Sequence, residues 1–339
     1  MKKYSAMKKT ATILLAALPF LWSSCTLTQE PDGIGVDPTQ VNVEATLQLS
    51  LDLPDSEDAY DDIVPDITDE FVRRFVVEAV LPDGTVMERS ESLQPIVAGE
   101  THYNLAVKMR LNARQYRLLV WCDYVSAETP GENLYYNPES LCPVLPNGNF
   151  VGNNDRKDCF RANVELDLRK YADDWAANVP LDVQLERPVG RYEIVTTDLA
   201  AFRTRLAQGL ITGTEFKTRV RYAGYMATGY NVLENVPKNL LSYQFYNVNL
   251  RNWDGDAASM RLAFDYILVS PGMEGSQIPL EIEILNENNV QVSRTVVTVP
   301  VRQGYNTVVS GRFLTGSDSG GVAVDPGFDG SIDIDLGKL

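Results

Sequence analysis

From Val41 to Leu53 every second residue is apolar. Val41, Val43, Ala45, Leu47, Leu49, Leu51 and Leu53 alternate with Asn, Glu, Thr, Gln, Ser and Asp. Side chains of an extended chain point to opposite faces in turn, so seven apolar positions at period two specify a strand with one buried face. Pro54 ends the run. Shorter apolar or alternating stretches follow at Phe71–Val80, His102–Leu111, Arg117–Trp121, Phe160–Leu168, Val179–Leu185 and Arg191–Val195. Others lie at Thr218–Tyr225, Tyr243–Val248, Ala258–Leu268, Ile278–Leu285, Val290–Val299, Thr307–Arg312 and Ser331–Leu336. Turn chemistry punctuates them: Pro82-Asp83-Gly84 predicts a hairpin back into Thr85–Arg89, and Asn286-Glu287-Asn288-Asn289 predicts another. A firm helical period occurs once, where Thr197 caps a segment with Leu199, Phe202 and Leu206 on one face and Gly209 past its end. Many short strands with one short helix predict an all-β chain, built as two β-sandwich domains in tandem. The border falls at Arg187-Pro188, giving domains of residues 41–186 and 187–339, and 339 residues suffice for both.

Residues 1–24 read as a signal peptide. Lys2, Lys3, Lys8 and Lys9 precede an apolar run, Ala11–Trp22, which is too short to span a bilayer, and Ser23-Ser24 leads into Cys25. A cysteine in that position is similar to the acylated cysteine of a bacterial lipobox, so Cys25 is the expected lipidation site and the first residue of the mature chain. Acyl chains contribute about 0.8 kcal/mol per buried CH₂, so two or three of them hold a protein durably on a membrane. Polar residues with Pro and Gly fill 25–40, the expected tether, and a Gly/Ser/Asp linker, Gly316–Gly327, precedes the last strand.

The residue inventory excludes several chemistries. Net charge is −16, and removal of residues 1–24 takes away four lysines and no acid, which makes it −20. A surface so acidic repels phosphate backbones, and no nucleic-acid partner is expected. His102 is the one histidine, which leaves little room for His-based zinc sites or for Ser-His-Asp and Cys-His catalysis. It opens a strand with no nucleophile or ligand partner in view and reads as a surface or packing residue. No phosphate-binding loop, nucleophile elbow or metal-ligand helix is present, and no cofactor or metal is expected. The acidic stretch Asp55–Glu70 has eight carboxylates in sixteen residues but lacks the spacing of a calcium loop, and reads as solvated. A glycosidase needs only two carboxylates. Among 46 acids no pair stands out, and Asp333 and Asp335 read as the polar face of the last strand. The chain is therefore read as no enzyme. Of three cysteines beyond Cys25, Cys122 lies in an apolar run and reads as a buried small hydrophobe. Cys142 and Cys159 flank a Pro/Gly/Asn-rich loop and either form a disulfide or stay free. In that loop Tyr135-Tyr136 is a candidate ligand surface, or else packs the loop onto the sandwich.

Four stretches carry a resemblance to a known family: the lipobox-like start; Phe71–Glu78 with Tyr116–Tyr124 and Leu134–Asn137; Leu185–Asp198; and Val299–Thr315. Together the chain resembles the fimbrillin-like lipoproteins of Bacteroidales, which include the subunits and anchors of protease-assembled pili. The resemblance implies two transthyretin-like β-sandwich domains, a lipid-anchored and surface-exposed position on the outer membrane, and a role in pili or adhesion. The implied partners are other pilus subunits, or host or bacterial surface ligands. It implies no catalytic residues. In shaft subunits of such pili an Arg/Lys-specific protease removes the first strand, and a neighbour's strand fills the groove. Here no basic residue lies between Cys25 and Arg73. The first candidate processing site, Arg73-Arg74, falls inside the second expected strand. That placement fits an unprocessed anchor or accessory subunit better than a shaft pilin, with Val41–Leu53 as the built-in strand and Ser331–Leu336 as a terminal or donated one. The alternative, from another functional class, is a glycan-binding outer-membrane lipoprotein serving nutrient uptake. Its aromatic candidates are Tyr135, Tyr136, Trp175, Tyr225 and Tyr230.

Overall fold

The computed structural model describes residues 37–51, 70–97, 100–272, 275–316 and 332–335. The signal peptide, Cys25, most of the tether and most of the acidic stretch lie outside them. The alternating run becomes strand β1 (Gln40–Ser50). It is followed by β2 (Phe71–Val80), β3 (Val86–Pro95), β4 (His102–Asn112) and β5 (Gln115–Ser126). Two short strands, β6 (Tyr136–Asn137) and β7 (Leu145–Pro146), pair within the loop that precedes β8 (Phe160–Asp167) and β9 (Asn178–Gln184). β1 is the middle strand of the sheet β4-β1-β9, antiparallel to β4 and parallel to β9. The opposing sheet has the order β3-β2-β5-β8. Between the two lies a core to which β1 contributes Val41, Val43, Ala45, Leu47 and Leu49, all the apolar positions of its inner face.

A second pair of sheets follows. Its strands are β10 (Val189–Thr196), β11 (Phe216–Tyr222), β12 (Met226–Asn231), β13 (Val236–Leu241), β14 (Phe245–Asn249), β15 (Met260–Leu268), β16 (Ser276–Asn286), β17 (Gln291–Val301), β18 (Asn306–Gly311) and β19 (Ile332–Asp335). One sheet has the order β13-β12-β15-β10-β18-β19 and the other β14-β11-β16-β17. β10 must pass close to the turn after β17: a Cβ on Gly190 would stand 2.2 Å from the Arg302 carbonyl oxygen. β19 adds to the edge of its sheet, parallel to β18. The chain is all-β, and α1 (Leu199–Ala207) is the single α-helix among the described residues.

The residue that starts this helix is Asp198, one later than the expected Thr197. Its carboxylate accepts from Thr196 Oγ1 and from the backbone N–H groups of Leu314 and Thr315, so the start of α1 is tied to the segment after β18. Two further departures concern strands. The expected strand Thr218–Tyr225 ends at Tyr222, and β12 and β13 occupy a region with no expected strand. Gly229 and Pro237 obscure their pattern, and both have structural reasons. A Cβ on Gly229 would meet the Val144 carbonyl at 2.7 Å. Pro237 sits on β13, an edge strand, where a missing N–H is tolerated.

A third core joins the two sheet pairs. Val76 and Val80 of β2 and Leu119 and Trp121 of β5 point away from the first core and meet Val189, Ala227, Tyr230, Phe264 and Tyr266. Strands buried on both faces read as continuous apolar runs rather than alternating ones. That explains the unbroken sequences Phe75-Val76-Val77 and Leu118-Leu119-Val120-Trp121.

Candidate functional site

The first strand is the element around which a strand-exchange site would be built. β1 exchanges backbone hydrogen bonds on both sides, in register from Gln40↔Asn112 to Ser50↔His102 on one and from Asn42↔Asn178 to Gln48↔Gln184 on the other. Its five inward side chains are at most 2% exposed. Fully burying an aliphatic side chain contributes about 1.5–3 kcal/mol, so the strand holds its place by roughly 10 kcal/mol of apolar burial. A groove emptied of β1 would expose that surface until another alternating strand filled it.

The candidate processing residues, Arg73 and Arg74, lie in β2 and are both buried. Arg73 points into the first core, where Tyr124 (4.4 Å from guanidinium to ring centre), Tyr103 and Phe160 surround it. It donates to Tyr124 Oη at 2.5 Å, while its Nε and Nη1 have no hydrogen-bond partner among the described residues. Arg74 points the other way and grips Asp123 with two hydrogen bonds of 2.9 and 2.7 Å. Burial raises the Asp123 carboxyl, and Arg74 opposes it. A protease needs an extended, accessible segment to bind. This bond has paired strands on both sides, β3 and β5, and neither arginine reaches solvent.

The two loop tyrosines are split by the fold. Tyr136 is 5% exposed, stacks edge-on against Trp121 at 5.3 Å and donates to the Lys157 carbonyl. It packs in the third core. Tyr135 is half-buried and accepts from Asn154 Nδ2 at 2.6 Å. Both line a small cavity of about 80 Å³, with Phe150, Met226 and Lys157 also in its wall. Of the other aromatic candidates, Tyr230 is fully buried, whereas Trp175 and Tyr225 are 55% and 73% exposed.

A buried polar cluster escaped sequence reasoning altogether. Lys157 Nζ donates to Asp265 Oδ1 at 2.5 Å, Tyr222 Oη donates to Oδ2 at 2.7 Å, and Tyr192 lies 2.9 Å from both Tyr222 and Tyr246, hydroxyl to hydroxyl. Burial raises the Asp265 carboxyl, with Lys157 as the main opposing influence, and pushes all three tyrosine hydroxyls well up, so they stay protonated donors. The cluster draws on the loop before β8 and on β10, β11, β14 and β15, positions with no common sequence pattern. Its groups satisfy one another, which is the arrangement of a clamp rather than a catalytic centre.

Cys142 and Cys159 are free thiols, so the disulfide considered for them is not formed here. They face different surroundings: Cys159 is buried beside Tyr136, and Cys142 is half-buried near the Leu233 backbone. Cys122 is fully buried, and burial pushes its thiol up to about 12. His102 is exposed at the start of β4, with its ring 2.9 Å from Thr101 Oγ1. Among the described residues no group of three His, Cys, Asp or Glu is placed to hold a metal ion, and no helix is long and apolar enough to cross a membrane.

Residues 38–337 match a family of unknown function, DUF6562. The chain belongs to that family. No curated protein matches this DUF6562 member. Solved structures similar to it include the fimbrial anchor protein Mfa2 of Porphyromonas gingivalis, 12% identical, with a TM-score of 0.41 over 75% of this chain and 81% of that one. A cell-adhesion candidate from Bacteroides eggerthii is 10% identical, with a TM-score of 0.46 over 89% of this chain and 100% of that one. A fimbrial assembly protein from Parabacteroides distasonis is 9% identical, with a TM-score of 0.37 over 83% and 92%.

Proposed function

We propose that this chain is a non-enzymatic surface lipoprotein of fimbrillin type, acting as a pilus anchor, accessory subunit or adhesin. In this reading residues 1–24 are removed, Cys25 carries the lipid in the outer membrane, and residues 41–186 and 187–339 are two transthyretin-like domains. The observation that carries it is the seating of the first strand. β1 fills the middle of its sheet, and the basic pair whose cleavage would release it is buried. A subunit built in that way keeps its own strand and does not open a groove for the next copy. It can still terminate or decorate a fibre whose partner contributes or receives an edge strand. β19 supports this role, since it lies at a sheet edge and is joined to one neighbour only. Of the aromatic residues nominated for the glycan-uptake alternative, Tyr136 and Tyr230 are buried, which leaves Trp175 and Tyr225 as its exposed candidates.

The mature N-terminus and intact mass of the protein from its native outer membrane test the proposal. A chain that begins at acylated Cys25 is the expected result. A chain that begins at Arg74 or Phe75 would make it a processed, polymerising subunit and overturn the anchor reading.

A further inference from the structure

The outer face of the sheet β14-β11-β16-β17 has a charge order opposite to that of the whole molecule. Directly opposed residues of antiparallel strands share a face, and the register places Asn247, Arg219, Glu283 and Arg294 in one row across the sheet. The next row runs Phe245, Arg221, Glu281. Three arginines thus meet two glutamates. Their depths differ as well: the side chains of Arg219, Arg221 and Arg294 are 24%, 38% and 50% exposed, against 12% and 13% for Glu283 and Glu281. Glu283 pairs with Arg219 and Arg221 at 3.7 and 3.6 Å, and Glu281 with Arg221 and Arg294, so the carboxylates form the floor of the face and the guanidinium groups its surface, with one positive charge in excess on a chain whose net charge is −16.

Two aromatic residues extend this face along β14 and the residues just before it. Phe245 is 51% exposed, with the Arg219 guanidinium 5.6 Å from its ring centre. Tyr243, two residues before β14, is 82% exposed. Tyr243 has a φ of +58°, a left-handed conformation that is sterically costly for a residue with a bulky side chain. The fold therefore holds one of its most exposed rings outward against a local backbone preference.

We propose that this face binds an anionic polysaccharide. Flat aromatic rings stack on the apolar faces of sugar rings, and arginine forks take carboxylate or sulfate groups in two-point contact. The asymmetry of depth makes the face complementary to a polyanion although the chain as a whole repels one, so binding is local and salt-sensitive. The inference deepens the adhesin reading by naming a ligand class. Its failure is separable, because the mature N-terminus tests anchorage whether or not any glycan binds.

The test is electrophoresis of the full detergent-purified chain through native gels containing heparin, polygalacturonate or dextran. We expect retardation by heparin or polygalacturonate, none by dextran, and loss of the effect in about 0.5 M salt. Phe245→Ala and Tyr243→Gly are each expected to weaken retardation about tenfold, the equivalent of one stacking contact. Tyr243→Gly also relieves the left-handed backbone, so its thermal midpoint is expected to match or exceed the parent's, which separates lost binding from lost folding. No retardation by either polyanion, equal retardation by dextran, or unchanged binding by both variants would overturn the proposal. So would a glycan-independent dimer that these variants dissociate, which would assign the face to a second copy of the chain.

Discussion

At the scale of single residues, the telling groups are polar ones placed where water does not reach. Lys157 and Asp265 are both buried, and their pairing is what makes either tolerable. Lys157→Met is expected to destabilise the chain by about 3–5 kcal/mol at pH 7, because it leaves a buried carboxylate without its cation. The pH dependence follows from the sign of the Asp265 shift. Its carboxyl lies above the ordinary value in the folded state, so the folded form favours the proton. Stability from this group is full below the unfolded value and is lost as pH rises through the folded one. Without Lys157 the shift grows, and the gap in melting temperature between variant and parent is expected to be wider at pH 7 than at pH 4.5. Thermal melts at both values check this. The thiols give a second prediction. With Cys122 near 12 and Cys159 buried and also raised, iodoacetamide at pH 8 should add at most one group among Cys122, Cys142 and Cys159, at Cys142, to the native chain. All three should react after unfolding, and intact mass reads the count.

Among the elements, β1 and β2 carry the proposed reading. Leu47 is fully buried at the centre of β1, and Leu47→Ala is expected to cost about 2–5 kcal/mol, measured by urea unfolding. An arginine-specific protease acting on the native chain should leave the bond between Arg73 and Arg74 intact and cut it only once the first pair of sheets has opened. N-terminal sequencing of the fragments reports which occurs. These two strands were also the most legible in the sequence, for different reasons. β1 has one wet face and one dry face, and so it alternates. β2 is dry on both faces and reads as a solid run with Arg73 and Arg74 at its start. The sequence cannot reveal that those arginines find their partners in Tyr124 and Asp123, about fifty residues away. β12 and β13 were invisible because Gly229 and Pro237 answer to tertiary contacts and edge position rather than to periodicity. The adjacent Tyr135 and Tyr136 differ in depth, Tyr136 buried in the third core and Tyr135 half-buried against it, and nothing in the sequence distinguishes them.

For the molecule as a whole, the third core governs cooperativity. Trp121 is fully buried among side chains from both sheet pairs. Unfolding one pair would strip apolar cover from the other, so calorimetry of the parent is expected to show one transition rather than two. Trp121→Ala should lower that transition, by about 3–5 kcal/mol, without dividing it. The pairing of the first strand has a further consequence, for the time course of biogenesis. Of the described strands β1 is made first, but its parallel neighbour β9 follows more than a hundred residues later, when Val179 becomes available to meet Val43. Contacts so distant along the chain form slowly, and until they form, an apolar ribbon and the groove meant for it are both open. For this protein the interval between synthesis and closure is when a neighbouring strand competes with its own.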